Sequence, residues 1–144
     1  MKEQNYTNHR QFVPAYHFVL LAALIVTLIG SVVNLYKCYI RHSHVYAAAL
    51  TFLLVFISAI LFYYCREFAL VAQDRAIRAE ENLRHYVLTG KLLDPRLNIR
   101  QVIALRFSSD EEFAELADRA AEESLIPDAI KRSIKHWRPD TYRV

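Results

Sequence analysis

Two long apolar runs constrain what this chain can fold into. Residues 16–36 (YHFVLLAALIVTLIGSVVNLY) and residues 45–65 (VYAAALTFLLVFISAILFYYC) each contain 21 residues without Asp, Glu, Lys or Arg. A helix needs about 20 such residues to cross the hydrocarbon core of a bilayer. Tyrosines stand at or near both ends of each run, where interfacial aromatic residues are enriched in membrane helices. The sequence therefore predicts two transmembrane helices, with the lipid bilayer as their surroundings.

The link between the two runs, residues 37–44 (KCYIRHSH), is eight residues long. A link this short joins antiparallel neighbours, so it predicts a transmembrane helical hairpin with both chain ends on one side. The link carries two Lys/Arg residues, whereas the preceding tail and the first 19 residues after the second run together carry six. This bias predicts that both termini are cytoplasmic and that the link lies on the outer side of the membrane. The first run also exceeds the about 7–15 apolar residues of a cleaved signal peptide.

Small and hydroxyl-bearing residues mark a predicted packing face on each run. In lipid, such residues let helix backbones approach closely, and dispersion and hydrogen bonds drive the packing. The predicted transmembrane packing residues are Ala23, Thr27, Gly30 and Ser31 on the first run, and Thr51 and Ser58 on the second.

Residues 66–90 (REFALVAQDRAIRAEENLRHYVLTG) predict a helix that leaves the membrane and continues into water. They contain no Gly or Pro before Gly90, and most are good helix formers. Alternating steps of three and four residues separate the members of a set that we call the alanine seam: Ala69, Ala72, Ala76, Ala79, Leu83 and Tyr86. This spacing is that of a heptad seam. Glu80 and Arg84, four residues apart, are expected to pair along the same helix.

The sequence leaves two possible partners for the alanine seam. Either the helices that follow it fold back onto it, or a second copy of the chain packs there. Alanine allows close approach but buries little apolar area, so the seam by itself drives association only weakly.

The residues after Gly90 predict three short amphipathic helices. Asn98 is suited to cap a helix over residues 99–107. Ser109 and Glu112 have the S-x-x-E form of a capping box, which predicts a helix over residues 110–124.

The third short helix is predicted to begin at Pro127, a residue that suits the first helical turn. Ile130, Ile134 and Trp137 recur at helical spacing, and Pro139 is expected to end the helix. The predicted fold is all-α. It comprises an N-terminal tail (1–15), a transmembrane hairpin (16–65) and a cytoplasmic helical domain (66–144).

The charge balance argues against nucleic acid as a partner. Residues 66–144 contain 14 Lys/Arg and 14 Asp/Glu, so they lack the basic footprint of a nucleic-acid binder. A helix-turn-helix interpretation would use Lys131, Arg132 and Lys135 against phosphate. The preceding helix carries seven acidic residues, which opposes it. A membrane-tethered regulator that binds nucleic acid is kept as an alternative.

Candidate metal ligands are few and scattered. Cys38 and Cys65 lie at ends of different runs, so they are expected on opposite sides of the bilayer, where they cannot form a disulfide. His17 has no histidine partner at its depth on the second run. His42 and His44 lack a carboxylate or thiol at ligand spacing. No role is assigned to these three histidines, and no metal or cofactor is expected.

Catalytic signatures are also missing from the sequence. The chain has only two glycines, which excludes the common glycine-rich phosphate loops. Its acidic residues at 110–123 read as a solvated helix face. The sequence therefore predicts a protein that is not an enzyme.

Three segments carry a resemblance to a known family. They are the tail with Asn5-Tyr6 and His9, residues 72–97 (AQDRAIRAEENLRHYVLTGKLLDPRL), and residues 104–123 (ALRFSSDEEFAELADRAAEE) with IKRSIKHWRPD after them. They resemble a bacterial, Bacteroidetes-type family of small two-span membrane proteins classed as a domain of unknown function. The resemblance implies a helical inner-membrane protein without catalytic residues. The favoured function is therefore an accessory, assembly or scaffold subunit of a membrane complex, and self-association on the seam is the alternative.

The predicted orientation can be tested with the two cysteines. A membrane-impermeant maleimide is expected to label Cys38 in intact cells of the Cys65→Ser variant. In the Cys38→Ser variant, Cys65 should be labelled only after the membrane is permeabilised, because it lies at the cytoplasmic end of its span. Labelling of Cys65 but not Cys38 in intact cells would show that the orientation is reversed.

Overall fold

The computed structural model describes residues 5–8 and 13–140, and these residues are folded into helices without a β-strand. A π-helical segment, Ala15–Leu20, leads into α1, Leu21–Ile40. The helices that follow are α2 (Val45–Thr89), α3 (Ile99–Leu105), α4 (Asp110–Glu122) and α5 (Pro127–Ser133). The all-α prediction is confirmed for these residues. Of the predicted tail, residues 1–4 and 9–12 lie outside the part that is described.

Helix α2 runs without interruption for 45 residues. It begins with the second apolar run and ends at Thr89. Gly90 follows with a φ of +75°, a left-handed conformation that suits glycine after a helix. The prediction that this helix continues beyond the second apolar run, and that Gly90 stops it, is confirmed.

The structure divides into two compact units, and each is considered by itself. Residues 13–69 form the apolar unit, and residues 5–8 with 70–140 form the helical unit. Within the described residues, two helices are long and apolar enough to cross a membrane, Ala15–Ile40 and Val45–Thr89. Most large apolar side chains of the apolar unit are exposed.

Tyr16 and Phe62 form a contact between the two helices of the apolar unit. The Tyr16 hydroxyl donates a hydrogen bond to the Phe62 carbonyl oxygen at 2.5 Å. The two aromatic rings stack with their centroids 4.4 Å apart. Ser31 and Ala48 are the buried residues of this unit among those described.

The helical unit has its core among α3, α4 and α5. Its largest fully buried side chains include two aromatic and several aliphatic residues: Leu97, Val102, Leu105, Phe107, Phe113 and Ile130. From α2, Ile77 joins this cluster. Burial of these apolar side chains is the main force that holds the three short helices together.

The predicted cap of α3 and the predicted capping box of α4 have different outcomes. At α3, the Asn98 side chain accepts from the Gln101 backbone N–H at 3.0 Å, and the Gln101 side chain accepts from the Asn98 N–H at 2.8 Å. At α4, Ser109 occupies the N-cap position, but its side chain makes no capping hydrogen bond. The Ser109–Glu112 box is therefore wrong. The Glu112 carboxylate instead accepts the backbone N–H groups of residues 135 and 136, at 3.1 and 3.0 Å.

The third short helix ends earlier than predicted. Helix α5 stops at Ser133, and Ile134 has an extended backbone. The Arg138 backbone N–H donates to the Phe107 carbonyl oxygen at 2.7 Å, and the Trp137 ring packs 5.2 Å from the Phe107 ring. A helix reaching Pro139 was thus the wrong prediction, because the segment after Ser133 pairs with the loop before α4.

Two leucines of the connector between α2 and α3 test this core. Leu97 is 1% exposed and Leu92 is 67% exposed. Leu97→Ala is expected to lower the free energy of unfolding by about 2–5 kcal/mol, because it leaves a cavity. Leu92→Ala, the matched control, should stay within about 0.5 kcal/mol. Urea unfolding of the full chain in mild detergent, followed by the fluorescence of the single tryptophan Trp137, measures both. Equal effects of the two substitutions would contradict the described core.

Candidate interaction surface

In the helical unit, α2 presents two chemically different faces. Ile77, Glu81 and His85 recur every four residues and are all buried, so they define an inner face. The outer face, on the opposite side of the helix, carries most of the alanine seam. The inner face is therefore the side of α2 that contacts the rest of the helical unit.

The centre of the inner face is a group that we call the Arg84 cluster, formed by Arg84, Glu81, Asp110, Ser108 and Phe113. Arg84 Nη1 lies 3.0 Å from Glu81 Oε2, and Arg84 Nε donates to Asp110 Oδ1 at 2.7 Å. Arg84 Nη2 donates to the Ser108 carbonyl oxygen at 2.7 Å. The guanidinium carbon lies 4.2 Å from the centroid of the Phe113 ring. One side chain thus joins α2 to the start of α4 and to the loop before it.

The Arg84 cluster replaces the ion pair expected from the sequence. Glu80 is exposed, and Arg84 pairs with Glu81 and Asp110 instead. The predicted Glu80–Arg84 pair is therefore wrong. Arg84 pairs with Glu81 because Glu81 lies on the inner face, where the guanidinium group also reaches α4.

Other polar side chains of α2 fasten the connector that follows Gly90. Arg78 Nη2 donates to the Leu97 carbonyl oxygen at 2.9 Å, and the Leu93 N–H donates to Asn82 Oδ1 at 3.3 Å. His85 Nδ1 lies 2.7 Å from the Lys91 carbonyl oxygen. Because a carbonyl oxygen only accepts, this nitrogen is the one that carries the proton. The inner face thus binds the backbone of the connector through side chains.

The residues of the alanine seam lie outside the core of the helical unit. Ala69, at the boundary of the two units, is half-buried, and Ala72, Ala76 and Ala79 are exposed. Leu83 and Tyr86 are also exposed, at 63% and 54%. Helix α4 contacts the inner face instead, through the Arg84 cluster. That the seam packs against another helix stays a prediction.

The predicted packing residues of the apolar unit are mostly exposed as well. Ser31 is buried, whereas Ala23, Thr27, Gly30, Thr51 and Ser58 are exposed. Each hydroxyl group in this set donates to a carbonyl oxygen of its own helix: Thr27 to Ala23, Ser31 to Leu28, Thr51 to Ala47 and Ser58 to Leu54. Their role in packing within lipid stays a prediction.

A contact that the sequence did not indicate joins residues 5–8 to α5. The Tyr6 hydroxyl donates to Asp128 Oδ1 at 2.6 Å, and Arg132 Nη2 donates to the Tyr6 oxygen at 3.1 Å. Arg132 and Asp128 also form a salt bridge of 2.8 Å. The hydrogen bond with Tyr6 raises the pKa of Arg132 above its usual value. We call this contact the Tyr6 clasp. No local pattern could reveal it, because 122 residues separate Tyr6 from Asp128.

The basic residues of the helix-turn-helix interpretation do not share one free helix face. Arg132 belongs to the Tyr6 clasp, and Lys131 Nζ lies 5.8 Å from the centroid of the Phe107 ring. Lys135 lies beyond the end of α5. The arrangement therefore differs from the continuous basic helix on which that interpretation depended.

The remaining candidate side chains are dispersed. His17 contacts the Val13 backbone, and His42 and His44 adopt left-handed backbone conformations in an exposed turn. Cys38 and Cys65 are free thiols. Within residues 5–8 and 13–140, no three His, Cys, Asp or Glu side chains are grouped to hold a metal ion.

Comparison with known families places the chain. The family of unknown function DUF6526 matches residues 1–144, so the chain belongs to that family. The resemblance to a family of unknown function is thereby confirmed. No curated protein and no solved structure matches the chain.

The Arg84 cluster gives a stability prediction. Arg84→Ala leaves the Glu81 carboxylate buried without its cation, and it is expected to lower the free energy of unfolding by about 3–5 kcal/mol. Arg119→Ala is the control, because the Arg119–Glu123 pair on α4 is exposed. It should cost about 1 kcal/mol or less. Urea unfolding followed by Trp137 fluorescence measures both variants, and a small effect of Arg84→Ala would show that the cluster does not hold α4.

Proposed function

We propose that this member of the DUF6526 family is a non-catalytic integral protein of the bacterial inner (cytoplasmic) membrane. In this proposal it acts as an accessory, assembly or scaffold subunit of a membrane complex. The hairpin holds the protein in the bilayer, and the helical unit supplies the contacts with a protein partner. The observation that supports this proposal is that the outer face of α2 is exposed, whereas the polar side chains of its inner face bind other parts of the helical unit.

The apolar unit supports the membrane assignment. Its large apolar side chains are exposed along both helices, including Val19, Val26 and Ile29 on the first and Leu54 and Leu61 on the second. A continuous apolar surface of this extent is unfavourable in water. The surrounding hydrocarbon of a bilayer would satisfy it, and both helices have the length to cross one.

The Tyr6 clasp supports a hairpin with both termini on one side. Residues 5–8 precede the first apolar helix, and α5 follows the second, yet both belong to the helical unit. Two crossings of the membrane return the chain to its starting side, which is what this contact requires. The excess of Lys/Arg outside the short link favours the cytoplasm as that side.

The chemistry of α2 supports a binding role. Polar groups of its inner face are used in internal contacts: Arg78, Asn82, Arg84 and His85 each bind another part of the helical unit. The outer face combines alanines with the larger exposed side chains Leu83 and Tyr86. Small residues let another helix approach closely, and the larger ones add apolar area for it to cover.

Size analysis of the full chain tests this function. Protein purified from its own membranes in mild detergent is expected in an assembly larger than one chain. Ala76→Lys with Ala79→Lys should release the single chain, because two bulky charges then occupy the seam. Asp118→Lys on the exposed surface of α4 is a control with the same change in net charge, and it should keep the assembly. A wild-type protein that elutes as a single chain would contradict the proposal, as would an assembly that the seam substitutions leave intact.

A further inference from the structure

We infer that the occupant of the alanine seam is a second copy of this chain, aligned parallel to the first. In this arrangement Arg75 of each copy pairs with Glu80 of the other. The inference rests on the proposed function, which supplies the common membrane and the uncovered outer face. It adds the identity of the partner, the direction of the two helices and their register.

Heptad geometry sets which charges flank the seam. The seam residues occupy the a positions (Ala69, Ala76 and Leu83) and the d positions (Ala72, Ala79 and Tyr86) of a heptad. With this assignment, Arg75 stands at a g position and Glu80 at the e position of the next heptad. In a parallel two-helix coiled coil, a g side chain faces the e side chain of the partner helix five residues later. Arg75 and Glu80 have this spacing.

Both charged residues are available for such a pair. Arg75 and Glu80 are exposed, and neither forms a salt bridge within the described part of the chain. The other flanking positions hold uncharged residues, namely Phe68, Gln73, Asn82 and Val87. A symmetric pair of helices therefore gains two attractive contacts between opposite charges and brings no like charges together.

The membrane determines the direction of the contact. Two copies inserted with the same topology carry their α2 helices in the same direction, so the parallel alignment needed for the Arg75–Glu80 pairs is the one available. Confinement to one bilayer also raises the effective concentration of the two seams. A surface that drives association weakly in solution can then be sufficient.

The outer face is more than a row of alanines. Near the end of α2, Leu83 is 63% exposed and Val87 is 74% exposed. Leu83 belongs to the seam and Val87 lies beside it, and both side chains gain a partner when the second helix is present. The larger side chains at this end supply apolar area, and the alanines let the two helices approach closely. Both contribute to the same contact.

A charge-exchange experiment tests the inference. Two copies of the full chain with different affinity tags are produced in the same cells, and capture of one tag measures association. Arg75→Glu in both copies is expected to reduce co-capture by about fivefold or more, since two attractive pairs become two repulsive ones. Glu80→Arg in both copies should do the same. When one copy carries Arg75→Glu and the other carries Glu80→Arg, every facing pair is again opposite in charge, and co-capture should return to the wild-type level.

Controls separate this contact from general charge effects. Arg119→Glu and Glu122→Arg change exposed charges of α4 by the same amounts and should leave co-capture unchanged. The urea midpoint reported by Trp137 should stay at its wild-type value in the Arg75 and Glu80 variants, because Arg75 and Glu80 have no ion pair within the described part of the helical unit. A mixed pair that fails to recover would overturn the parallel register.

The outcome also distinguishes this inference from the proposed function. An assembly that depends on the seam but contains one copy of the chain would overturn self-association and leave the scaffold role standing, with a different protein on the seam. The absence of any assembly in mild detergent would overturn both. Co-capture that is abolished by Ala76→Lys with Ala79→Lys, and restored by charge exchange in the Arg75 and Glu80 variants, would support both.

Discussion

One guanidinium group makes a central attachment between α4 and α2. Arg84 is largely buried, and a buried cation is stable only when its charge and its N–H groups find partners. It finds them in Glu81 of its own helix, in Asp110 at the start of α4 and in the Ser108 carbonyl oxygen. Its flat face also rests on the Phe113 ring. Asp110 remains largely exposed to solvent, so the second carboxylate is added without burying a second negative charge. The position of α4, and with it the aromatic side chain that enters the core, follows from where Arg84 can be neutralised.

This arrangement reverses the usual amphipathic pattern of a surface helix. The half of α2 in the helical unit turns Glu81, Arg84 and His85 toward its own unit and leaves the alanine seam outward. The side chains of the inner face donate hydrogen bonds to carbonyl oxygens and pair with a buried charge, which apolar side chains cannot do. The short helices α3 to α5 then bury their apolar residues mainly among themselves. The outer face of α2 therefore stays exposed in the helical unit.

Local signals in the sequence predicted local structure well. Asn98 caps α3 as predicted, and Gly90 ends α2 as expected, because both features depend on neighbouring residues alone. The failures involve partners that are distant in sequence. Glu112 is taken by the backbone of residues 135 and 136, so it cannot complete a capping box with Ser109. Trp137 pairs with the loop before α4, so it lies outside α5. The heptad spacing located the seam, but periodicity identifies an apolar face without saying what covers it. The Tyr6 clasp had no signal at all, since one tyrosine in a polar tail resembles any other.

The choice of alanine for this outer face has a physical consequence for selectivity. A seam of leucines would bury much more area and would associate with many amphipathic helices, because area alone does not distinguish partners. Alanine supports the helix by its propensity and keeps an uncovered face tolerable in water. Because alanine buries little area, the flanking charges and the shape of the contact contribute more to the choice between one partner helix and another. An exposed pair of charges is weak when it stands alone. In the proposed pair of helices, which a shared bilayer would align, such a pair of charges beside a seam of small side chains would favour one direction and one register.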